Sequence, residues 1–192
     1  MPRDALASAA QLLARAFAAD PLFVNVQPSD RMRRGGLPTL FEALLRDAGQ
    51  RGGVLSTIEG VVAWTPVRSL HANLLEQIRR GYAKVPLHFG LRATYRLQAH
   101  DDWCNCRTLA HSSLEATYIH CVGVEPTLTG RGIGSKLMNA ALSRIGQSYG
   151  LCTLRTEQQR NVRFYEKLGF RCVEQLGVPT TGLSAWFFVR EV

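Results

Sequence analysis

The chain has 192 residues, of which 46% are apolar, 20% charged and 8% aromatic. This length and composition are ordinary for one globular domain with a substantial core and exclude a low-complexity chain. Basic residues exceed acidic ones by 23 − 15 = 8. Such an excess fits nucleic acid, an anionic membrane, a cofactor with several phosphates or an acidic substrate. Because the basic residues are scattered, nucleic-acid binding is the weakest of these alternatives.

The five cysteines are odd in number and irregular in spacing, which argues against a disulfide framework. Cys104 and Cys106, with His100 nearby, leave a metal site as a remote alternative, because zinc favours C-x₂₋₄-C pairs and four ligands; we expect no metal. The chain has no run of eighteen apolar residues, and residues 1–20 predict an amphipathic helix rather than a signal sequence. The expected location is therefore a reduced cytoplasm.

The first half of the chain predicts helices around one hairpin. Apolar residues at helical spacing predict helices over 6–17 and 37–45, separated by a basic loop over 24–36. Residues 53–58 and 60–67 predict two antiparallel strands about a tight turn. Two further helices are predicted over 69–82 and from 91 to about 107, with a loop at 86–90 between them.

The second half of the chain predicts a strand, a glycine loop and a helix. A strand over 115–124 is followed by glycines at alternate positions, Gly130, Gly132 and Gly134, and then by a helix over 135–149. Such a loop directs several backbone N–H groups at one place, where the helix dipole favours an anion. With the charges of Arg131 and Lys136 nearby, the loop predicts a diphosphate ligand.

Two well-known phosphate-binding patterns do not fit this loop. The dinucleotide fingerprint needs a glycine where Ser135 stands, and the spacing of the P-loop also fails. The remaining G-x-G-x-G pattern resembles the acyl-CoA motif [QR]-x-x-G-x-[GA] of the GNAT superfamily, the GCN5-related N-acetyltransferases. Gly132 and Gly134 fit that motif, whereas Thr129 occupies its Gln/Arg position.

Residues 156–170 strengthen this resemblance. They are similar to the family's second motif, N-x-x-[AN]-x-x-[FL]-Y-x-x-x-G-F, with Gln158 in place of its first Asn. The matching residues are Asn161, Phe164, Tyr165, Gly169 and Phe170. Two motifs in the right order, about thirty residues apart, identify the chain as similar to the GNAT superfamily over residues 115–192.

The resemblance implies an α/β (α+β) fold with a mixed, mostly antiparallel sheet, a splayed central parallel strand pair and flanking helices. The parallel pair is expected at 115–124 and 151–156, joined by a helix, and a closing hairpin at 170–176 and 184–190. Residues 1–192 are expected to form one acyl-CoA N-acyltransferase domain. Its N-terminal strand would be short or absent, and residues 68–113 would be a helical insertion on the substrate side.

The resemblance also implies an acetyl-CoA-dependent N-acetyltransferase that moves an acetyl group directly to a primary amine in a ternary complex. Val122 and Val124 would bond the pantetheine through their backbone, and Gly123 would allow its close approach. Backbone N–H groups of the glycine loop would hold the diphosphate. The expected cofactor-binding residues are Val122, Gly123, Val124, Thr129, Gly130, Arg131, Gly132, Ile133, Gly134, Ser135, Asn161 and Tyr165.

Tyr165 matches the family's general acid, since a phenol remains protonated at neutral pH. His120 is the candidate base, because it titrates near neutrality and strand alternation places it on one face with Tyr118, Val122 and Val124. The alternatives are core roles for both side chains. Glu115 and Glu157 are rival bases, and His111 is expected in a loop.

Two other functions stay open on the sequence. A non-catalytic CoA-binding sensor or interaction module would keep the same fold, and a basic nucleic-acid-binding protein is the weaker alternative. A membrane partner is not expected, and a homodimer is left open. The acceptor amine and the preferred acyl chain are not readable from the sequence.

Overall fold

The computed structural model describes residues 2–71, 73–147 and 150–192. The helices in this part of the chain are α1 (Arg3–Phe17), α2 (Pro21–Val26), α3 (Asp30–Arg51), α4 (Leu74–Arg79), α5 (Val85–Phe89), α6 (Leu91–His111), α7 (Ile133–Ile145) and α8 (Val162–Lys167). The strands are β1 (Gly53–Ser56), β2 (Gly60–Pro66), β3 (Thr117–Val124), β4 (Leu151–Thr156), β5 (Arg171–Gly177) and β6 (Ser184–Glu191).

The strands form one six-stranded sheet in the order β1-β2-β3-β4-β6-β5. All neighbouring strands pair antiparallel except β3 and β4, which pair parallel at the centre. A parallel connection needs a crossover, and α7 lies between these two strands in the chain. The predicted fold, a mostly antiparallel sheet with one central parallel pair and flanking helices, is confirmed.

The parallel pair separates soon after it starts. The register pairs Thr117 with Cys152 and Tyr118 with Thr153, and pairing ends there. Both strands nevertheless continue, β3 as far as Val124 and β4 as far as Thr156. The facing edges of the two strands therefore carry unpaired backbone groups, as the predicted splay requires.

Helices cover both faces of the sheet. On one face, Leu13 of α1 and Leu37 of α3 pack with Val61 of β2 in the larger core. On the other, Met138 of α7 packs with Val62 of β2, so neighbouring residues of β2 serve opposite cores. Each fully buried aliphatic side chain contributes about 1.5–3 kcal/mol. No helix within the described residues has the length and apolar character needed to cross a membrane.

The predicted basic loop over 24–36 is wrong, because α2 and the start of α3 occupy it. Asp20 caps α2 by accepting a hydrogen bond from the Leu22 amide, and Ser29 caps α3. Arg33 is buried, and its guanidinium donates to the carbonyl oxygens of Ala18 and Gln27. The arginine therefore binds the backbone just after α1 and just after α2, and the charge pattern misled the sequence prediction.

The helices before β3 also differ from the prediction. A helix was expected over 69–82, of which Ala72 lies outside the described residues. The structure has only the shorter helix α4 there, and Gly81 follows it at φ +95°. The loop expected at 86–90 is instead helix α5, because Pro86 suits a first helical turn. His111 ends α6 rather than lying in a loop. The predicted end of α7, at residues 148–149, lies outside the described residues.

Candidate functional site

A cavity of about 920 Å³ opens where β3 and β4 separate. Its walls come from α1 to α4, α6, the two central strands, the glycine loop and α8. One continuous space therefore connects the glycine loop with the helices that precede β3.

The glycine loop has the backbone conformation that its sequence suggests. Gly130 and Gly132 have φ of +81° and +77°, a region that other L-residues enter only with strain. A Cβ atom at either position would meet open space. Gly132 is the N-cap of α7 and no side chain caps that helix. The first amides of α7 are therefore available to an anion.

The residues predicted to hold the cofactor converge on this cavity, with one exception. Those that line it are Val122, Gly123, Val124, Thr129, Gly130, Gly132, Ile133, Gly134, Ser135, Asn161 and Tyr165. Arg131 is exposed on the loop and is not part of the lining. Three cations that sequence reasoning missed do line it: Arg160, Arg163 and Lys167. These residues stand in or beside the second sequence motif, and that position could have identified them from the sequence.

The prediction that Tyr118, His120, Val122 and Val124 share one face of β3 is wrong beyond His120. Opposite β2, Cys121 pairs with Ala63 and Ile119 pairs with Trp64, which makes His120 an extra residue in β3. This β-bulge reverses the alternation of side chains. Val122 consequently packs on the face of α7, whereas the His120 ring contacts the Tyr118 ring at a centroid distance of 5.0 Å.

Gly123 lines the cavity and also contacts α1. A Cβ atom there would lie 2.5 Å from Leu13 Cδ2 and 3.2 Å from Phe17 Cε2, both in α1. Gly123 therefore allows α1 to pack closely on β3. The predicted close approach to pantetheine stays a prediction.

Tyr165 lies on α8 with its ring in the core and lines the cavity. The ring packs between Phe164 and Phe188, at centroid distances of 5.1 and 5.5 Å. Burial raises the pKa of its phenol, and nearby carboxylates act in the same direction. The hydroxyl is therefore protonated at neutral pH and able to donate a proton. The ring therefore has the core role that the sequence left open, and the catalytic role of its hydroxyl stays a prediction.

His120 is a poor candidate for the base. Its Nε2 lies 2.9 Å from Thr65 Oγ1. Burial lowers the pKa of His120 to about 3, and the positive charges of Arg155 and Arg80 act in the same direction. A neutral imidazole with so low a pKa binds a proton weakly, because each pKa unit costs about 1.4 kcal/mol.

Glu115 and Glu157, the other two predicted bases, are also poor candidates. Glu115 is exposed and outside the cavity lining. Glu157 lies in the cavity, but Arg155 Nε is 2.9 Å and His100 Nε2 is 3.0 Å from its Oε1. Burial alone would raise the pKa of Glu157, but Arg155 and His100 outweigh it and hold that pKa at about 2.

Cys104 and Cys106 left a metal site open as an alternative, and Glu157 belongs to the group of side chains around Cys104. Ligand atoms of His100, Cys104 and Glu157 lie within 4.8 Å of one another, but Cys106 is exposed elsewhere on α6. The Arg155 guanidinium already binds the Glu157 carboxylate. A metal ion would have to displace that charge, so these donors fit an ion-pair network better than a metal.

Asp20 is a further cavity residue that sequence reasoning missed. Its carboxylate accepts hydrogen bonds from the Leu22 amide, at 2.9 Å, and from Gln158 Nε2. Burial raises the pKa of Asp20 to about 6, Gln158 opposes the shift, and the negative charge of Glu157 adds to it. The available signal was an acidic residue before a proline, a pattern that equally marks the end of a helix.

A splayed parallel pair beside a glycine loop at a helix start defines the class of protein. Residues 93–172 match the family model described as the acetyltransferase (GNAT) domain. The resemblance to the GNAT superfamily that the two motifs predicted is therefore confirmed over these residues.

Known proteins agree with this fold. A Corynebacterium glutamicum protein is described as histone acetyltransferase HPA2 and related acetyltransferase. It is 19% identical to this chain, the alignment covers 98% of this chain and 92% of that protein, and the TM-score is 0.65. A Pyrococcus horikoshii protein is 14% identical to this chain. The alignment covers 100% of this chain and 93% of that protein, and the TM-score is 0.59. These likenesses show the shared fold alone.

Among curated proteins, an uncharacterised protein of Mycobacterium leprae is 27% identical over 88 residues. That alignment covers 43% of this chain and 24% of the relative. The chain thus spans only about a quarter of the length of the curated relative that it matches.

Proposed function

We propose that the protein is an acetyl-CoA-dependent N-acetyltransferase that moves an acetyl group directly to a primary amine in a ternary complex. Residues 1–192 would act as one domain, with residues 68–113 contributing to the acceptor side. The observation that carries the proposal is the single cavity that joins the glycine loop, the opening between β3 and β4, and Tyr165.

Acetyl-CoA fits the chemistry of this cavity in two parts. The diphosphate would accept hydrogen bonds from the uncapped amides between Gly130 and Ser135, beside Arg160 and Arg163. The pantetheine arm would lie along the unpaired edge of β3, where backbone groups of Val122 and Val124 can hydrogen-bond its amides. The thioester would then reach the neighbourhood of Tyr165.

The transfer step needs a neutral amine, a stabilised oxyanion and a proton for the leaving thiolate. A backbone N–H beside the bulge in β3 would stabilise the oxyanion. Tyr165 would supply the proton to the coenzyme A sulfur, since its phenol is protonated at neutral pH. Because the amine attacks the thioester directly, no covalent acetyl-enzyme is required.

The test mixes the full chain with acetyl-CoA and a panel of primary amines and follows free thiol and acetylated product. We expect calorimetric binding of acetyl-CoA, and thiol release that depends on an amine. At 100 times its dissociation constant, acetyl-CoA should stabilise the fold by about 2.7 kcal/mol.

The non-catalytic alternative predicts a different result in the same experiment. Acetyl-CoA would bind and stabilise the fold, but no amine in a broad panel would increase thiol release. Absence of acetyl-CoA binding would contradict both functions.

A further inference from the structure

Four carboxylates line the cavity within the described residues: Asp20, Asp47, Asp101 and Glu157. Three of them are paired with guanidinium groups. Asp47 pairs with Arg51 and more distantly with Arg80, and both Asp101 and Glu157 pair with Arg155. Within the described residues, the donors to the Asp20 carboxylate are all neutral: Gln158 and the amides of Leu22 and Phe23. Its negative charge is therefore the one that no cation in the described lining offsets.

We infer that Asp20 receives the ammonium group of a small primary amine with a single positive charge and removes its proton before acetyl transfer. This inference rests on the proposed N-acetyltransferase function. It specifies that function by naming the base and the class of acceptor.

The surroundings of Asp20 favour an apolar body for that amine. Phe17, Phe23 and Phe41 line the same cavity and contact one another at centroid distances of 5.3 to 6.1 Å. Leu22 and Leu40 extend this wall. A second ammonium group beside this wall would lie against hydrocarbon, which is costly, and the other three carboxylates of the cavity are already paired with guanidinium groups. A monoamine with an alkyl or aryl body therefore fits better than a polyamine.

The position of Asp20 is fixed by residues of two separate regions. The Leu22 amide holds Oδ1, and Gln158, just after β4, holds Oδ2. The Phe23 amide also donates to this carboxylate. A carboxylate offers about four acceptor sites, so about one remains for an ammonium group. Helix α2 carries no charged side chain. The ionisable groups that act on Asp20 from other elements are Glu157, after β4, and Tyr165, on α8. Gln158 is thus a positioning residue, and no cation among the described residues forms an ion pair with Asp20.

The proton balance is complete without another reactant. The ammonium group gives one proton to Asp20, and the neutral nitrogen attacks the thioester carbon. The C–N bond forms, the C–S bond breaks, and the sulfur takes the Tyr165 proton. The nitrogen gives its second proton to the tyrosinate, and Asp20 releases its proton to water. The products are an N-acetylated amine, free coenzyme A and one proton.

The experiment compares the full-length wild type with Asp20→Asn from pH 5 to 9. The acceptors are phenethylamine, spermidine and L-phenylalanine, with acetyl-CoA in excess. Asparagine keeps the helix cap but cannot take the proton. We expect kcat/KM for phenethylamine to fall about 100-fold or more at pH 7.5, with acetyl-CoA affinity unchanged. The wild-type profile should rise through an apparent pKa near 6, the value of Asp20, and the variant should lack that rise.

Two further variants complete the experiment. Asp4→Asn, at an exposed residue of α1, is the matched control and should behave as wild type. Gln158→Met removes the hydrogen bond that lowers the pKa of Asp20, so the rise should move to higher pH even if Asp20→Asn folds poorly.

The outcomes separate this inference from the function on which it rests. An unchanged profile in Asp20→Asn, or higher wild-type kcat/KM for spermidine or L-phenylalanine than for phenethylamine, overturns the inference while the acetyltransferase stands. Binding of acetyl-CoA without thiol release in the wild type contradicts the acetyltransferase itself.

Discussion

Ile119 and Val122 lie three residues apart on β3 and pack in the same core on the α7 side of the sheet. Three residues would normally bring them to opposite faces, but His120 is an extra residue between them. The bulge directs His120 towards Tyr118 and turns Val122 away from both. It lies next to the point where β3 and β4 stop pairing, so the strand changes face where the cavity begins.

Replacing Tyr165 with phenylalanine tests the proton donor. The ring contacts should persist, because only the hydroxyl is removed, and acetyl-CoA affinity should stay within about twofold. We expect kcat to fall about 100-fold, the usual contribution of a positioned general acid. Steady-state thiol release and calorimetry measure the two effects. Tyr95→Phe, at a 75% exposed residue of α6, is the matched control. Equal turnover in the two variants would remove Tyr165 from the mechanism.

Replacing Gly132 with alanine tests the glycine loop. Its φ of +77° strains any residue with a Cβ atom, so unfolding free energy should fall by about 1–2 kcal/mol. The added methyl group would also project into the open space before α7, and acetyl-CoA should bind more weakly.

Gly35→Ala is the control for Gly132→Ala, because Gly35 lies inside α3 with open space around it. That change should stabilise the protein by about 0.5–1 kcal/mol and leave acetyl-CoA binding unchanged. Urea denaturation and calorimetry give both quantities. Opposite signs in the two variants support the loop geometry, whereas equal effects contradict it.

Replacing Gly123 with alanine tests the contact between β3 and α1. The methyl group would lie 2.5 Å from Leu13 Cδ2, and the Leu13 side chain is fully buried and cannot move away. We expect a loss of about 1–3 kcal/mol in unfolding free energy, typical of overpacking. Gly177→Ala, where a Cβ atom meets nothing, should be close to neutral. Weaker acetyl-CoA binding without loss of stability would instead favour the cofactor role first expected for Gly123.

The pKa of Asp20 predicts a dependence of stability on pH. Its folded value of about 6 lies above the ordinary value of 3.8, so the folded state binds the proton more tightly. The stabilisation from this group is complete below pH 3.8 and is lost as the pH rises through about 6. The neutral amide introduced by Asp20→Asn cannot ionise, so the variant escapes this loss.

Urea denaturation of Asp20→Asn and wild type should therefore agree near pH 3.5 and diverge as the pH rises. The variant should be more stable by about 2–3 kcal/mol at pH 7.5, from roughly two pKa units at about 1.4 kcal/mol each. A constant difference across this range would show that Asp20 ionises normally. The expected gain in stability with a loss of activity is typical of functional carboxylates.

Local patterns predicted the second half of the chain well. The alternation in β4, the glycine loop and the apolar stripe of α7 are each set by neighbours within a few residues, so periodicity reveals them. The region before β3 was harder. Arg33 looked like part of a basic loop because its carbonyl partners, on Ala18 and Gln27, are known only once the chain has folded.

The residues of the candidate site also differ in how well the local sequence predicts them. Tyr165 was predicted because it stands in a recognisable motif beside Phe164. Asp20 was not, because its character comes from Gln158 and Glu157, more than a hundred residues away in the chain. Burial and repulsion raise its pKa, and neither has a signature in the local sequence.

The sequence by itself determined the resemblance to the GNAT superfamily, the order of the sheet-forming segments and the loop that would meet a diphosphate, because these depend on backbone preferences over short spans. Only the tertiary structure decided which face of β3 each side chain takes, which carboxylate lacks a cation, and which ionisable groups have a shifted pKa. These properties depend on strand register and on distances between remote residues, and both are set when the sheet and its helices pack together.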